Sequence, residues 1–256
     1  MNNTVAIVTG ASQGIGQATA IRLARDFGAI VLVARNKAKL EDTAAAVRNV
    51  GAEALVIDID LADRAAAKKV IARTLETFKR IDALLNIAGA VPQVDLFEMT
   101  DAQWDTGMAL KLHGARRLTI EAWPALKDSQ GSVVLISGNS AAFPKAPYAA
   151  VGTINAAIIA LAKAFSDRGI ADGVQVNSVL PGAVMTGRRR SYLEHWAPLH
   201  DMSVEDAIAK FPRDAGIARY GEPGEIADLM AFLVAPGSHW LTGSSIRMDG
   251  GELKSI

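Results

Sequence analysis

Two kinds of hydrophobic pattern alternate along this chain. Short apolar runs rich in β-branched residues occupy 5–8, 30–34, 54–59, 81–87, 132–137, 174–179 and 245–248, and such runs read as strands. Between them apolar residues recur at three- and four-residue intervals. Helices are predicted over 37–49, closed by Gly51, and over 64–78. A third is capped by Thr100, carries Asp101 in its first turn and runs to about Leu126; a fourth includes 154–165. Strands separated by helices of this length imply right-handed crossovers and a parallel sheet covered on both faces. The expectation is a doubly wound α/β domain of about seven strands spanning 1–256, its rhythm interrupted at about 187–220.

The first strand-to-helix junction carries the densest signal. Gly10, Gly14 and Gly16 follow the run at 5–8, and Ala18, Ala20, Ile21 and Leu23 then recur at helical spacing. Gly10 permits a tight turn, Gly14 lets backbone approach a ligand, and Gly16 packs a helix onto the sheet. The helix directs unpaired N–H groups and its positive dipole end at whatever lies above, which suits a pyrophosphate. This makes the domain Rossmann-type.

Composition narrows the function classes. Half of the 256 residues are apolar and 27 basic residues balance 27 acidic ones. Arg188, Arg189 and Arg190 are the one basic run, which gives no reason to expect nucleic acid. The chain has no cysteine, which excludes a disulfide framework and thiolate metal sites. His113, His195, His200 and His239 show no ligand spacing with carboxylates, so no metal is expected. A strand begins almost at the N-terminus and no apolar run is expected to reach membrane length. The expectations are no signal peptide, no membrane span and a cytoplasmic protein.

The spacing TGxxxGIG at 9–16 resembles the cofactor fingerprint of the short-chain dehydrogenase/reductase family, and further landmarks of that family recur in order over nearly the whole chain. The resemblance implies a nicotinamide dinucleotide held by Gly10, Ser12, Gln13, Gly14, Ile15 and Gly16. Asp60 and Leu61 match the position that meets the adenine amino group. Asn86, Ile87, Ala88 and Gly89 resemble the NNAG stretch closing the fourth strand. Pro181, Gly182, Val184 and Thr186 match the stretch whose threonine holds the nicotinamide carboxamide, and Gly243 with Asp249, Gly250 and Gly251 match the family's C-terminal ending. Arg35 closes the second strand where an NAD-dependent enzyme carries an acid, and an arginine there suits a 2′-phosphate. NADP(H) is therefore favoured over NAD(H), although Gln13 lacks the second positive charge of many NADP-dependent members. A homodimer or homotetramer through the two long central helices is implied, with a small-molecule substrate.

The resemblance breaks at the reaction centre. The family's asparagine, serine, tyrosine and lysine align with Lys111, Gly138, Val151 and Asn155. Using Tyr148 as the tyrosine instead requires a three-residue deletion and places Gly152 at the lysine position. Valine has no proton to give, and asparagine cannot supply the cation that lowers a phenol from about 10 toward neutrality. Three readings stay open. One is a relocated relay, Tyr148 paired with Lys111, with Ser137, Ser140 or His113 as further polar groups; Asn155 still hydrogen-bonds the cofactor ribose. Another keeps the cofactor but lets the substrate manage its own proton, or turns the reaction redox-neutral. The third is a cofactor-binding module or inactive partner subunit. In the family a mobile lid lies at 187–220, here with Tyr192, His195, Trp196 and His200. Its three arginines suit an acidic or phosphorylated group.

Overall fold

Alternate residues of the first strand part to opposite faces, and the whole architecture follows from that division. In the computed structural model, which describes residues 3–255, Val5 and Ile7 enter one apolar layer while Ala6 and Val8 enter the other. Residues 1, 2 and 256 of the expected domain lie outside the described residues. The strands are β1 (Val5–Thr9), β2 (Ala29–Ala34), β3 (Glu53–Asp58), β4 (Ala83–Asn86), β5 (Ser132–Ile136), β6 (Gln175–Pro181) and β7 (Ser245–Met248). They form one sheet in the order β3-β2-β1-β4-β5-β6-β7, every neighbouring pair parallel. Strand order reverses between β1 and β4, so a crevice opens there beyond the strand C-termini.

The helices are α1 (Gly14–Leu23), α2 (Lys37–Val50), α3 (Ala66–Phe78), α4 (Asp101–Gly107), α5 (Ala115–Ser129), α6 (Ala149–Asp172), α7 (Gly187–Trp196), α8 (Val204–Ala215) and α9 (Pro223–Leu233). Leu23, Leu40, Val47 and Met230 from α1, α2 and α9 cover one face. Val70, Leu118, Leu126 and Ile158 from α3, α5 and α6 cover the other. Gly51 ends α2 with φ 111°, and Thr100 opens α4 with a capping box to Gln103. Two expectations need correction. The helix expected from Thr100 to about Leu126 runs on to Ser129, and its middle, Met108–Gly114, widens into a π segment between α4 and α5. The stretch Ala146–Asp172, 27 residues, is by length and composition long and apolar enough to cross a membrane. One side of it packs on β5 and β6, with Ile154, Ile158 and Ala162 buried.

Asp172, at the end of α6, ties that helix to α5. It accepts from Trp123 Nε1 (2.9 Å), Lys127 Nζ (2.8 Å) and Arg168 Nε (2.7 Å). Lys127, then Trp123 and Arg168, hold its carboxyl far below the usual carboxylate range. A depressed carboxylate stabilises the fold above its unfolded pKa and loses that contribution as pH falls below about 4. Asp172→Ala is expected to lower the urea midpoint at neutral pH. The wild-type–variant gap in urea midpoint should shrink on acidification; a gap that stayed constant to pH 3 would contradict this.

Candidate functional site

A cleft of about 1110 Å³ lies at the β1/β4 reversal. Thr9 Oγ1 accepts from the amides of Ile87 (2.8 Å) and Ala88 (2.9 Å), which clamps the end of β1 to the segment after β4. Gly10 has φ +68°, and a Cβ there would stand 3.1 Å from Ala88 backbone. A Cβ on Gly16 would overlap the carbonyl oxygen of Gly10. The turn therefore closes only with glycine at both positions. Gly10, Ser12, Gln13, Gly14, Ile15, Gly16, Arg35, Asp60, Leu61, Ala88, Gly89, Asn155, Pro181, Gly182, Val184 and Thr186 all line the cleft, as do Lys111 and Ser137. Asn86 does not. It is 4% exposed and donates to Thr119 Oγ1 (3.1 Å), pinning β4 to α5 behind the cleft.

Three cations gather at the β2 end of the cleft. Arg35 is largely exposed, its nearest carboxylate being Asp60 at 3.8 Å, and Lys37 and Lys39 from the first turn of α2 line the same wall. Lys39 Nζ donates to Gln13 Oε1 (3.2 Å). The second positive charge missing from the glycine loop at Gln13 is thus brought there by Lys39. Lysines in a helical first turn oppose the dipole, and no acidic residue balances them in that turn. Their sequence signal was the spacing of Arg35, Lys37 and Lys39, three basic residues at every second position after the second strand.

The reaction centre forms where the π segment faces the start of α6. Lys111 Nζ donates to Asn155 Oδ1 (2.5 Å) and to the Ser137 carbonyl (3.1 Å). Asn155 Nδ2 donates onward to Ser140 Oγ (2.8 Å). The Ser137 hydroxyl is committed to the Asn155 carbonyl (2.8 Å). Gly89 makes room for the Lys111 stem, since a Cβ there would meet Lys111 Cδ at 3.0 Å. Burial, with the Arg188 charge adding to it, pulls the Lys111 ammonium down to about 8. The expected Tyr148–Lys111 pair does not form among the described residues. Tyr148 lines a second cavity, because α6 begins only at Ala149 and a 3₁₀ turn, Ala146–Tyr148, leads into it. His113 lines neither cavity, and burial with the Arg117, Arg116 and Arg64 charges lowers its pKa.

That second cavity, about 1010 Å³, shares Val151, Pro181, Gly182 and Val184 with the cleft. Ser140, Tyr148, Tyr192, Leu193, Trp196 and Phe211 also line it. Its outer wall is α7 and α8, whose Leu193 and Ala207 make a small core with Ala197 and Tyr220. His195 and His200 bond carbonyls of their own helical turns, Ser191 and Trp196, and lie outside both linings.

The family profile described as "Enoyl-(Acyl carrier protein) reductase" matches residues 10–252. This chain belongs to the short-chain dehydrogenase/reductase family. A short-chain reductase protein of Streptomyces niveus, NovJ, is 32% identical over 97% of this chain and 94% of its own. The L-sorbose reductase of Gluconobacter frateurii, solved with NADPH and L-sorbose, superposes with a TM-score of 0.96 at 25% identity, covering 100% of this chain and 98% of that one. Actinorhodin polyketide ketoreductase with NADPH gives 0.91 at 27% identity, over 97% of each chain.

In this short-chain dehydrogenase/reductase one side-chain contact crosses the cleft, between Lys111 on the central helix and Asn155 on α6. The contact brings an ammonium to this corner of the cleft. Gly138 leaves room for this network. A Cβ on Gly138 would stand 2.8 Å from Asn155 Nδ2, the very group that bonds Ser140.

Proposed function

We propose that this short-chain dehydrogenase/reductase is an NADP(H)-dependent oxidoreductase interconverting a small carbonyl compound and its alcohol, with Lys111 as the group that holds the transferable proton. The observation that carries this reading is the Lys111–Asn155 bond inside a cleft otherwise built for a dinucleotide. The cleft fits the cofactor by its own geometry: the glycine turn leaves no Cβ over the floor, and the cations at Arg35, Lys37 and Lys39 suit a 2′-phosphate. Two of the related structures are NADPH complexes.

When bound, the nicotinamide supplies hydride transfer to or from carbon. Everything else falls to the chain. Gly10, Ser12, Gln13, Gly14, Ile15 and Gly16 would cradle the pyrophosphate, Asp60 and Leu61 would meet the adenine, and Thr186 would hold the carboxamide. Asn155 anchors Lys111 and orders Ser140 Oγ, whose hydrogen remains free to orient a substrate oxygen where the two cavities join. Lys111 Nζ, with a pKa of about 8, is protonated at neutral pH yet close enough to neutrality to release a proton to an alkoxide and take it back. Tyr148 acts as a wall of the substrate cavity, and the 187–220 segment as its cover. Exposed Ile120 and Ile170 on α5 and α6 (48% and 73%) support a homo-oligomer through these helices.

The test is titration of the pure protein with NADPH and NADH by calorimetry, followed by a screen of ketones and alcohols. Tighter NADPH binding with turnover of at least one pair is expected. Binding of neither dinucleotide would overturn the reading. Binding without turnover of any pair would leave a cofactor-sensing module in place of an enzyme.

A further inference from the structure

We propose that the second cavity takes a substrate bearing an anionic group, a carboxylate or a phosphate, and that Arg189 is its partner. This names the substrate class of the oxidoreductase proposed above and rests on that reading for the chemistry, though not for the binding. The three adjacent arginines of α7 separate in space. Arg188 Nη1 donates to the Gly89 carbonyl (3.0 Å) on the cofactor side, and Arg190 is exposed. Arg189 alone enters the second cavity. Its guanidinium lies over the rings of Phe211 (4.2 Å), Tyr192 (5.3 Å) and Tyr220 (5.7 Å).

Rings attract the guanidinium through its face but satisfy none of its N–H groups. Arg189 Nε is buried with no hydrogen-bond partner, and no carboxylate pairs with the side chain among the described residues. A buried donor without a partner is costly and rare. The cavity's own acids are already engaged. Asp214 pairs with Lys210 at 2.6 Å, and Glu252 accepts from Asn139 Nδ2 and the Ala183 amide (both 3.2 Å). Of the cavity's other cations, Lys254 donates to the Gly216 and Gly251 carbonyls and Lys145 lies over the Phe143 ring, so Arg189 is the cation whose buried donor is left without an acceptor, its planar edge fixed by the aromatic cage. That edge matches the two oxygens of a carboxylate or phosphate. Val151, Val184, Leu193 and Trp196 supply apolar wall in the same cavity, which Ser140 also lines. The occupant has an apolar body, a carbonyl or hydroxyl at the cofactor end and the negative charge at the α7 end.

The probes are 4-oxopentanoate, its methyl ester and dihydroxyacetone phosphate, titrated calorimetrically into the protein with and without NADP+. At least one charged probe should bind about tenfold or more tightly than the ester. Arg189→Gln should abolish that difference while leaving ester affinity unchanged, and Arg190→Gln should change neither. In parallel the Arg189 Nε–H proton resonance, assigned by its loss in Arg189→Gln, should shift saturably with a charged probe; which one shifts it separates carboxylate from phosphate. A resonance unmoved by both anions, or equal ester and acid affinity, overturns the proposal. Charge selectivity without any NADPH binding would sink the cofactor reading and keep this one. NADPH binding without charge selectivity does the reverse.

Discussion

Lys111→Met is expected to lower turnover by about 10²–10⁴-fold, the usual worth of a general acid–base group, and to flatten the pH profile. The sign follows from the depressed pKa. Carbonyl reduction needs the ammonium form, so its rate should fall as pH rises through about 8; alcohol oxidation needs the amine and should rise through the same value. Lys111→Arg keeps the charge yet cannot titrate in this range, so it should restore little activity. The double variant Lys111→Asn, Asn155→Lys moves the cation to the family's wall and should restore cofactor affinity better than turnover, because Val151 still offers no proton. A structural role for Lys111 would lower kcat without moving the pH profile. An unchanged profile in Lys111→Met, with the fold intact by circular dichroism, would rule out the proposed role.

Which of these features the chain discloses before folding depends on how local their cause is. The strands were legible because a buried parallel strand must be a continuous apolar run: residues 245–248 are found as β7 without change, and 30–34 lengthens by one at Ala29. The glycine turn was legible because Gly10 and Gly16 answer steric demands within one loop. The π segment was not, since one inserted residue per turn leaves a helical apolar pattern almost unaltered. Widening there helps set Lys111 toward Asn155, 44 residues away, and spacing along the chain says nothing about such a pair. Ser137 and Ser140 illustrate the same limit. Both are serines beyond β5, but one hydroxyl caps an α6 carbonyl and the other receives the Asn155 amide, a difference settled only by the 3₁₀ turn Asn139–Ala141.

The combination Arg35→Ala with Lys39→Ala should erase the preference for NADPH. A charge-assisted bond to a phosphate is worth about 1.5–3 kcal/mol, or roughly 10–150-fold in affinity, and among the described residues the carboxylate paired with Arg35 is Asp60, at a loose 3.8 Å. Lys39 is exposed and should contribute less. NADH affinity should stay within about twofold, because neither side chain belongs to the glycine turn. Adding salt should weaken NADPH binding to the wild type far more than to the double variant. The ligand-free protein supplies an independent readout. Lys39 sits in the first turn of α2, against the positive end of the dipole, so Lys39→Ala should raise the apo melting temperature while weakening the NADPH complex. Opposite signs in apo and holo protein mark a residue kept for its ligand at the expense of its helix. Equal losses for NADPH and NADH would mean instead that the turn itself had been disturbed, and the 2′-phosphate site would have to be sought elsewhere.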